Sequence, residues 1–345
     1  MEFNKIILCT EAPKNTGLAY YYYLAFRDIL SDEKVVLIDE GDRRYEASLI
    51  SRAQRKLNYL RGKSSVEKMN QILESCDESG KNIVILFNTA NIRLEEIKKL
   101  SEKKYIYLIH LLSDSPYGMY PSRMQLTFQS LPLFHMVCIF AKALVPVLYQ
   151  MGASRVERVP FGFCKYTHLI AENASEPELP NSVYYFGTWT PVIEDWLVNL
   201  KGFDLHIEGG LWKNAKDKDL MTIGTKPNPH TDRNMAAMAR KAAVVVNFTR
   251  ASHGCFHTMK TFELTAAGAA VVSNYSDEQV EFFKPGHAMS YFNTKDEMTA
   301  CVKSLLEDRE KNILLRSCAY QEAMKHSYHE RAKEILKLFN PDYEN

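Results

Sequence analysis

Residues 253–273 read HGCFHTMKTFELTAAGAAVVS, a stretch in which a small-residue turn, a helix start and an apolar strand follow one another. The pattern predicts a helix over about residues 258–267 and a strand over residues 269–273. The first turn of such a helix offers unpaired N–H groups and the positive end of the helix dipole. This order is typical of an α/β sheet that holds a phosphate-bearing ligand at the ends of its strands.

One carboxylate interrupts the apolar side chains of this helix. Glu263 stands between Phe262 and Leu264 and needs a polar partner, because burying an unpaired carboxylate is costly. The ribose hydroxyls of a nucleotide would serve as donors, and so would a nearby lysine or arginine in a structural network. The sequence leaves both interpretations open.

The composition is that of a globular protein with room for two domains. The 345 residues are 46% hydrophobic and 25% charged, and the formal net charge is +1. That balance excludes a nucleic-acid binder held by bulk electrostatic attraction. Seven cysteines, an odd number scattered along the chain, do not suggest a disulfide framework and predict a reducing, cytoplasmic environment.

Residues 131–149 are nearly as long as a membrane span. His135, Lys142 and two prolines interrupt the apolar run, which predicts a buried strand followed by a helix instead. The first residues have too short an apolar run for a signal peptide and predict a buried first strand. Peripheral contact with the inner face of a membrane stays open.

Apolar runs alternate with helical patterns from the start of the chain, which predicts parallel sheets covered on both faces. A polar, proline-bearing run at residues 171–181 divides this alternation into two parts. We therefore predict an α/β protein with two Rossmann-like, doubly wound domains that face each other across a cleft. The expected limits are residues 1–170 for the first domain, 171–181 for a linker, 182–325 for the second domain and 326–345 for a last helix. The predicted strands are residues 5–9, 35–39, 82–88, 105–110, 136–140 and 155–160, then 182–186, 204–207, 244–248, 269–273 and 289–292.

Six segments of the second half occur in the order found in GT-B-fold glycosyltransferases of the group 1 type, and the chain resembles the CgeB-like members of that group. The segments are GTWTP (187–191), EGGLW (208–212), VVVNFTR (244–250), TMKTFELTAAGAAVVSN (258–274), EQVEFFKPGHAMSYF (278–292) and HSYHERAKEIL (326–336). The resemblance implies a second domain that binds a nucleotide-activated sugar and a first domain that binds the acceptor. It also implies a last helix that crosses back to the first domain.

The donor site is expected at the start of the helix quoted above. We assign diphosphate binding to Arg250, Lys260 and the backbone near His257 and Thr258, and we assign ribose binding to Glu263. A further set follows the first strand of the second domain and is expected to approach the ligand: Gly187, Thr188 and Trp189.

The chain departs from the pattern of the resembling family in three places. Apolar Val192 and Ile193 follow Pro191 where resembling sequences tend to place an arginine. Lys260 stands where an arginine is usual, which keeps one positive charge but loses a bidentate phosphate contact. Cys255 stands eight residues before Glu263, where retaining members often carry a second glutamate. Donor binding is therefore a firmer prediction than catalysis.

The acceptor side offers two candidate general bases at and after a predicted strand end. His110 or Asp114 would accept the proton of the acceptor hydroxyl if the reaction inverts the anomeric centre. A lone histidine at a strand end is more often structural, so His110 carries both interpretations. The turn after the first strand is expected to line the acceptor site: Asn15, Thr16 and Gly17.

No metal and no cofactor other than the nucleotide-sugar co-substrate is expected. Asp217 and Asp219 resemble a metal-binding pair but are flanked by lysines in a loop. His253, Cys255 and His257 have the ligand types for zinc but lack a fourth ligand.

The leading prediction is thus a metal-independent glycosyltransferase that moves a sugar from a nucleotide sugar to a saccharide, lipid-linked or other hydroxyl acceptor, in surface glycan or glycoconjugate biosynthesis. No nucleic-acid partner is expected. Two alternatives stay open. A nucleotide-sugar epimerase would convert its substrate without an acceptor, and a non-catalytic regulatory protein would bind the nucleotide without turnover.

Overall fold

The computed structural model describes residues 2–12, 15, 17–39, 62–173, 175–224, 232–249 and 257–339. The chain divides into two compact units. The first comprises Met1–Pro160 together with Tyr328–Asn345, and the second comprises Phe161–Ser327. Each unit is built around its own parallel sheet.

The first unit contains a six-stranded sheet in the order β2-β1-β3-β4-β5-β6, with parallel pairing throughout. Its strands are β1 (Lys5–Cys9), β2 (Val35–Ile38), β3 (Asn82–Phe87), β4 (Ile106–Leu112), β5 (Met136–Ile139) and β6 (Val156–Arg158). Ile6 pairs with Val35 on one side and with Ile83 on the other. Every residue of β3 is buried, as expected of a central parallel strand covered on both faces.

The second unit contains a five-stranded parallel sheet in the order β11-β10-β9-β7-β8. Its strands are β7 (Leu179–Phe186), β8 (Asp204–Glu208), β9 (Ala242–Asn247), β10 (Val271–Asn274) and β11 (Ser290–Phe292). All six residues of β9 are buried. Each of the eleven predicted strands has a counterpart within a few residues, which confirms the predicted α/β class.

Helices connect the strands in both units. They are α1 (Gly17–Leu30), α2 (Lys63–Ser75), α3 (Leu94–Ser101), α4 (Pro121–Ser130), α5 (Val145–Gln150), α6 (Lys165–His168), α7 (Pro191–Leu197), α8 (Lys218–Gly224), α9 (Asp232–Lys241), α10 (Met259–Ala266), α11 (Asp277–Phe282), α12 (Lys295–Glu307), α13 (Arg309–Ala323) and α14 (Tyr328–Lys337).

The last helix, α14, packs on α1 within the first unit. The Tyr328 ring is fully buried and lies 5.6 Å from the ring of Tyr21 and 5.1 Å from that of Tyr22. His329 Nε2 lies 2.6 Å from Asp28 Oδ2. Helix α14 is therefore part of the core of the first unit.

The division between the units falls after Pro160, earlier than the predicted linker at residues 171–181. Phe163 already forms a β-bridge with Ser327 in the second unit. The Arg240 guanidinium donates a hydrogen bond of 2.7 Å to Asn173 O, and β7 begins inside the predicted linker. The polarity of this run reflects exposed side chains, while its backbone is held against the second unit.

Residues 131–149 contain β5 followed by α5, which confirms the predicted strand and helix in place of a membrane span. Within the described ranges no helix has both the length and the apolar character needed to cross a bilayer. The cysteines in these ranges are free thiols.

Candidate functional site

In the second sheet, the strands that follow β7 lie on both sides of it, so the strand order reverses between β7 and β9. Strand β7 pairs with β8 on one side and with β9 on the other, and such a switch point leaves a crevice beyond the carboxyl ends of the two strands. Thr249, just after β9, donates its backbone N–H to Asn274 Oδ1 at 2.7 Å. Asn274 Nδ2 donates back to Thr249 Oγ1 at 2.7 Å, so the ends of β9 and β10 are tied together beside the crevice.

The loop after β7 is held on both sides of its glycine. Gly187 N donates to Glu208 O at 2.8 Å, and Gly187 O accepts from the Trp212 indole at 3.0 Å. A side chain at position 187 would collide with the Tyr185 ring, and one at Gly209 would collide with the Gly187 carbonyl. The two backbones approach each other closely because both positions are glycine.

Glu194 in α7 fixes the rest of this loop. One carboxylate oxygen accepts from the Trp189 indole at 2.8 Å, and the other accepts from the backbone N–H groups of Lys216 and Asp217, each at 2.7 Å. Burial opposes ionisation of Glu194, but these hydrogen bonds outweigh it and hold the pKa below its usual value. The predicted donor residue Trp189 is therefore immobilised by a charged, nearly buried acceptor.

Helix α10 begins where the sequence predicted a phosphate-binding helix start. Thr258 has extended backbone angles and is the N-cap, and its N–H donates to Thr261 Oγ1 at 3.2 Å. Thr261 Oγ1 in turn donates to Gln279 Oε1 at 2.9 Å. Lys260 lies in the first turn and is partly exposed. The helix start thus combines a rigid cap with one cationic side chain.

Glu263 lies in the next turn and is 5% exposed. Burial raises the pKa of Glu263 to about 8, although the Lys260 ammonium acts in the opposite direction. Its Oε1 lies 3.5 Å from Nε2 of His168. His168 Nδ1 accepts from Cys164 N at 3.0 Å, so Nε2 carries the hydrogen, and burial lowers the pKa of His168 to about 4. At neutral pH both side chains are uncharged.

This arrangement bears on the two interpretations of Glu263. Within the described residues, no lysine or arginine forms an ion pair with the Glu263 carboxyl group, and the group facing it is the neutral imidazole of His168. The described residues therefore show no lysine or arginine paired with this carboxyl group, and both interpretations of Glu263 stay open.

His257, immediately before the N-cap, is fully buried. Its Nε2 accepts from Phe161 N at 3.4 Å, so Nδ1 donates to Glu278 Oε2 at 2.7 Å. The ring also contacts the edges or faces of Phe262 and Phe282. The imidazole is therefore engaged inside the second unit, where it supports the start of α10, and binding of diphosphate by the backbone near His257 and Thr258 stays a prediction.

Four positions named from the sequence, Thr16, Arg250, His253 and Cys255, lie outside the described residues. Asp217 is engaged in the loop: it accepts from the N–H groups of Asp219 and Leu220 and pairs with Lys201 at 2.9 Å. No cluster of three or more His, Cys, Asp or Glu arranged to hold a metal ion occurs among the residues described.

The first sheet has its own switch point, between β1 and β3, and an unusual turn follows β3. Residues Asn88, Thr89, Ala90 and Asn91 have positive φ angles of 48°, 64°, 52° and 60°. Successive left-handed residues other than glycine are strained and persist only when the surroundings impose them. The turn is buried at its first three residues.

Lys68 and His110 supply much of that constraint. The Lys68 ammonium is nearly buried and donates to Thr10 O, after β1, and to Ala90 O, both at 2.8 Å. His110 Nε2 accepts from Thr89 N at 3.1 Å. One buried cation therefore ties together the strand ends on the two sides of the switch point.

The prediction that His110 is a general base is not supported by this geometry. Its imidazole is fully buried, stacks on Phe134 at 4.4 Å and already accepts a backbone N–H, and burial lowers its pKa to about 3. Asp114 is exposed instead, with Oδ2 2.9 Å from the Asn88 amide nitrogen. His110 supports the turn that positions Asn88, and Asp114 is the accessible carboxylate.

The predicted acceptor turn lies at the same edge of the first sheet. Asn15 is exposed with a φ of 57°, and Gly17, with a φ of 74°, begins α1. In α1 itself Tyr21 and Tyr22 are buried. Their burial shows that α1 packs one face into the core of the first unit.

Comparisons with known proteins agree with this architecture. Residues 191–337 match the family model described as glycosyl transferase-like. HepE from Anabaena, solved in complex with UDP-glucose, superposes with a TM-score of 0.67 at 13% identity, covering 97% of this chain and 99% of HepE. Sucrose-phosphate synthase from Thermosynechococcus elongatus superposes with a TM-score of 0.69 at 10% identity, covering 99% of each chain. No curated protein matches the sequence.

The chain has the GT-B fold, and its residues 191–337 are similar to the glycosyl transferase-like family. The predicted fold and the predicted glycosyltransferase class are confirmed. The CgeB-like subgroup stays a prediction.

Two residues of this GT-B protein that shape the site escaped the sequence interpretation. Glu194 lies three residues beyond the GTWTP segment, and His168 lies outside all six resembling segments. Their partners are backbone N–H groups and a carboxyl group from distant parts of the chain. In the sequence, the only sign of a role for Glu194 is its position close to GTWTP, and the only sign for His168 is its position beside apolar residues.

The raised pKa of Glu263 gives a pH dependence to stability. Between about pH 4.5 and 8 the folded chain retains a proton that the unfolded chain has lost, so this group lowers the free energy of unfolding as pH rises. Glu263→Gln removes that contribution. Urea unfolding from pH 5 to 9 should therefore show a shallower decline in the variant. An exposed control, Glu307→Gln, should keep the slope of the parent, and an unchanged slope in Glu263→Gln would contradict the raised pKa.

The strained turn should depend on the ammonium of Lys68. Lys68→Met leaves two buried carbonyl oxygens without this donor and should lower the free energy of unfolding by about 1–3 kcal/mol. Lys63→Met, an exposed substitution on the same helix, serves as the control. Equal stability of the two variants in chemical denaturation would show that Lys68 does not hold the turn.

Proposed function

We propose that the protein transfers a sugar from a nucleotide-sugar donor, bound at the carboxyl edge of the second sheet, to a hydroxyl group of an acceptor. The observation that carries this proposal is the buried carboxyl group of Glu263, one turn inside a helix that starts at the end of the sheet. A buried carboxyl group facing a neutral His168 has acceptor capacity to spare, and adjacent ribose hydroxyls supply matching donors.

The diphosphate of the donor would lie at the start of α10. The N–H groups of the first turn and the ammonium of Lys260 supply positive charge where negative charge develops as the sugar leaves. Arg250 is proposed as a second cation. Because this charge comes from the protein itself, we propose a metal-independent transfer.

Asp114 is the proposed general base on the acceptor side. Its carboxylate is exposed, and the Asn88 amide fixes one of its oxygens, so the other is available to a hydroxyl proton.

HepE was solved with UDP and with UDP-glucose, which makes UDP the first nucleotide to test. We further propose a cytoplasmic role in surface glycan or glycoconjugate synthesis, an extension that rests on the family resemblance alone.

Removing the cation at the helix start should weaken donor binding. Lys260→Ala loses a charge-assisted contact of about 1–3 kcal/mol, which raises the dissociation constant for UDP about ten- to a hundredfold. Isothermal titration calorimetry measures this directly. Lys284→Ala, an exposed lysine of the same unit, should bind UDP as the parent does. Failure of UDP and other nucleoside diphosphates to bind the unmodified protein would contradict the proposed function.

Neutralising the proposed base should affect turnover and not donor binding. Asp114→Asn should lower kcat by about a hundredfold or more while the dissociation constant of UDP stays unchanged. The assay follows UDP release from UDP-glucose in the presence of a saccharide panel. Asp32→Asn, with an exposed carboxylate in the same unit, is the control. Full activity of Asp114→Asn would remove Asp114 from catalysis, and conversion of UDP-glucose without acceptor would indicate an epimerase.

A further inference from the structure

Two exposed tyrosines occupy a short loop after β4 in the first unit. Tyr120 is 83% exposed, the highest value for a large hydrophobic side chain within the described residues, and Tyr117 is 55% exposed. Neither ring is needed to fill the core. Neighbouring exposed aromatic rings on a loop that follows a parallel strand are suited to a ligand that contacts a ring face.

The loop that carries them is firmly built. Gly118 N donates to Ser115 O at 2.9 Å, and Tyr120 O accepts from the N–H groups of Arg123 and Met124, both at 2.9 Å. The Tyr117 ring lies 5.9 Å from Phe128, which supports it from α4. The two rings are therefore presented by an ordered backbone, which reduces the entropy lost when a ligand binds.

Both ends of the loop are tied to the switch point of the first sheet. At its start, Asp114 is held by Asn88 of the strained turn. At its end, the Arg123 guanidinium pairs with Glu11, which follows β1, and donates to Asn91 Oδ1 at 3.2 Å, after β3. Tyr120, three residues before Arg123, is thus anchored at the edge where a doubly wound sheet binds its ligand.

The chemistry around the two rings is that of carbohydrate recognition. A pyranose ring presents C–H groups on its faces and hydroxyl groups around its rim. Aromatic faces suit the former, and the carboxylates of Asp114 and Glu11 with the amide of Asn91 suit the latter.

We propose that the loop of residues 115–120 is a stacking platform for a pyranose ring, and that the acceptor of the reaction is a saccharide. This inference rests on the proposed function and narrows its acceptor to one chemical class. A lipid surface fits less well, because the exposed carboxylate of Asp114 at the start of the loop would repel anionic headgroups.

The test uses saturation-transfer NMR on the full chain with maltotriose, cellotriose, chitotriose and mannotriose as probes. We expect transfer to the C–H protons of one pyranose face and about a tenfold weaker interaction in Tyr120→Ala. Tyr120→Phe and Tyr120→Trp keep an aromatic face and should retain binding. Tyr166→Ala, a tyrosine of the second unit that is 46% exposed, is the matched control.

Several results would overturn the platform. They are absence of transfer from all four probes, equal loss of binding in Tyr120→Phe and Tyr120→Ala, and an equal loss in the Tyr166→Ala control. Loss of binding to phosphatidylglycerol vesicles in Tyr120→Ala, with saccharide binding unchanged, would show a membrane-facing loop instead. UDP binding, measured in the same samples, distinguishes failure of the proposed function from failure of the platform. Absence of UDP binding contradicts the proposed function. UDP binding without saccharide contact contradicts only the platform.

Discussion

All strands of a parallel sheet end at the same edge, and the rest of this structure depends on that constraint. In the first unit β1 lies between β2 and β3, and in the second unit β7 lies between β8 and β9. The chain therefore crosses over to opposite sides of the first strand of each sheet. The loops on the two sides of this first strand therefore diverge at the carboxyl edge and leave a crevice. Polar groups can lie in the crevice without interrupting the hydrogen bonds between strands. The polar features described above lie at such edges because each follows the carboxyl end of a strand. They are the Gly187–Trp189 loop, the start of α10, Asp114 and the Asn88–Asn91 turn.

The two units stabilise their loops by the same physical means, a buried charged group that binds backbone from distant segments. In the first unit the cation of Lys68 has this role and binds two carbonyl oxygens. In the second unit the anion of Glu194 binds two N–H groups and an indole. A buried charge is costly unless its hydrogen bonds are made, so each group stabilises only one loop conformation.

The sequence was sufficient for the strands and helices because parallel strands appear as short apolar runs and the helices between them carry clear periodicity. The start of α10 and the burial of Glu263 were also predictable, since a carboxylate among apolar residues is conspicuous. The role of His110 was not, because its burial depends on Phe134 and on the turn after β3, both remote in the chain. The unit boundary was missed for a related reason: polar side chains at residues 171–181 conceal a backbone bound to Arg240.

The protonated state of Glu263 has a consequence for how a ligand binds. In the proposed donor site, ribose hydroxyls that donate to Glu263 would favour its carboxylate form, so binding of the nucleotide would be coupled to release of a proton. The affinity for the donor would then rise as the pH approaches the raised pKa of Glu263. Release of the nucleotide would return the proton to the carboxyl group, separately from the chemistry of sugar transfer.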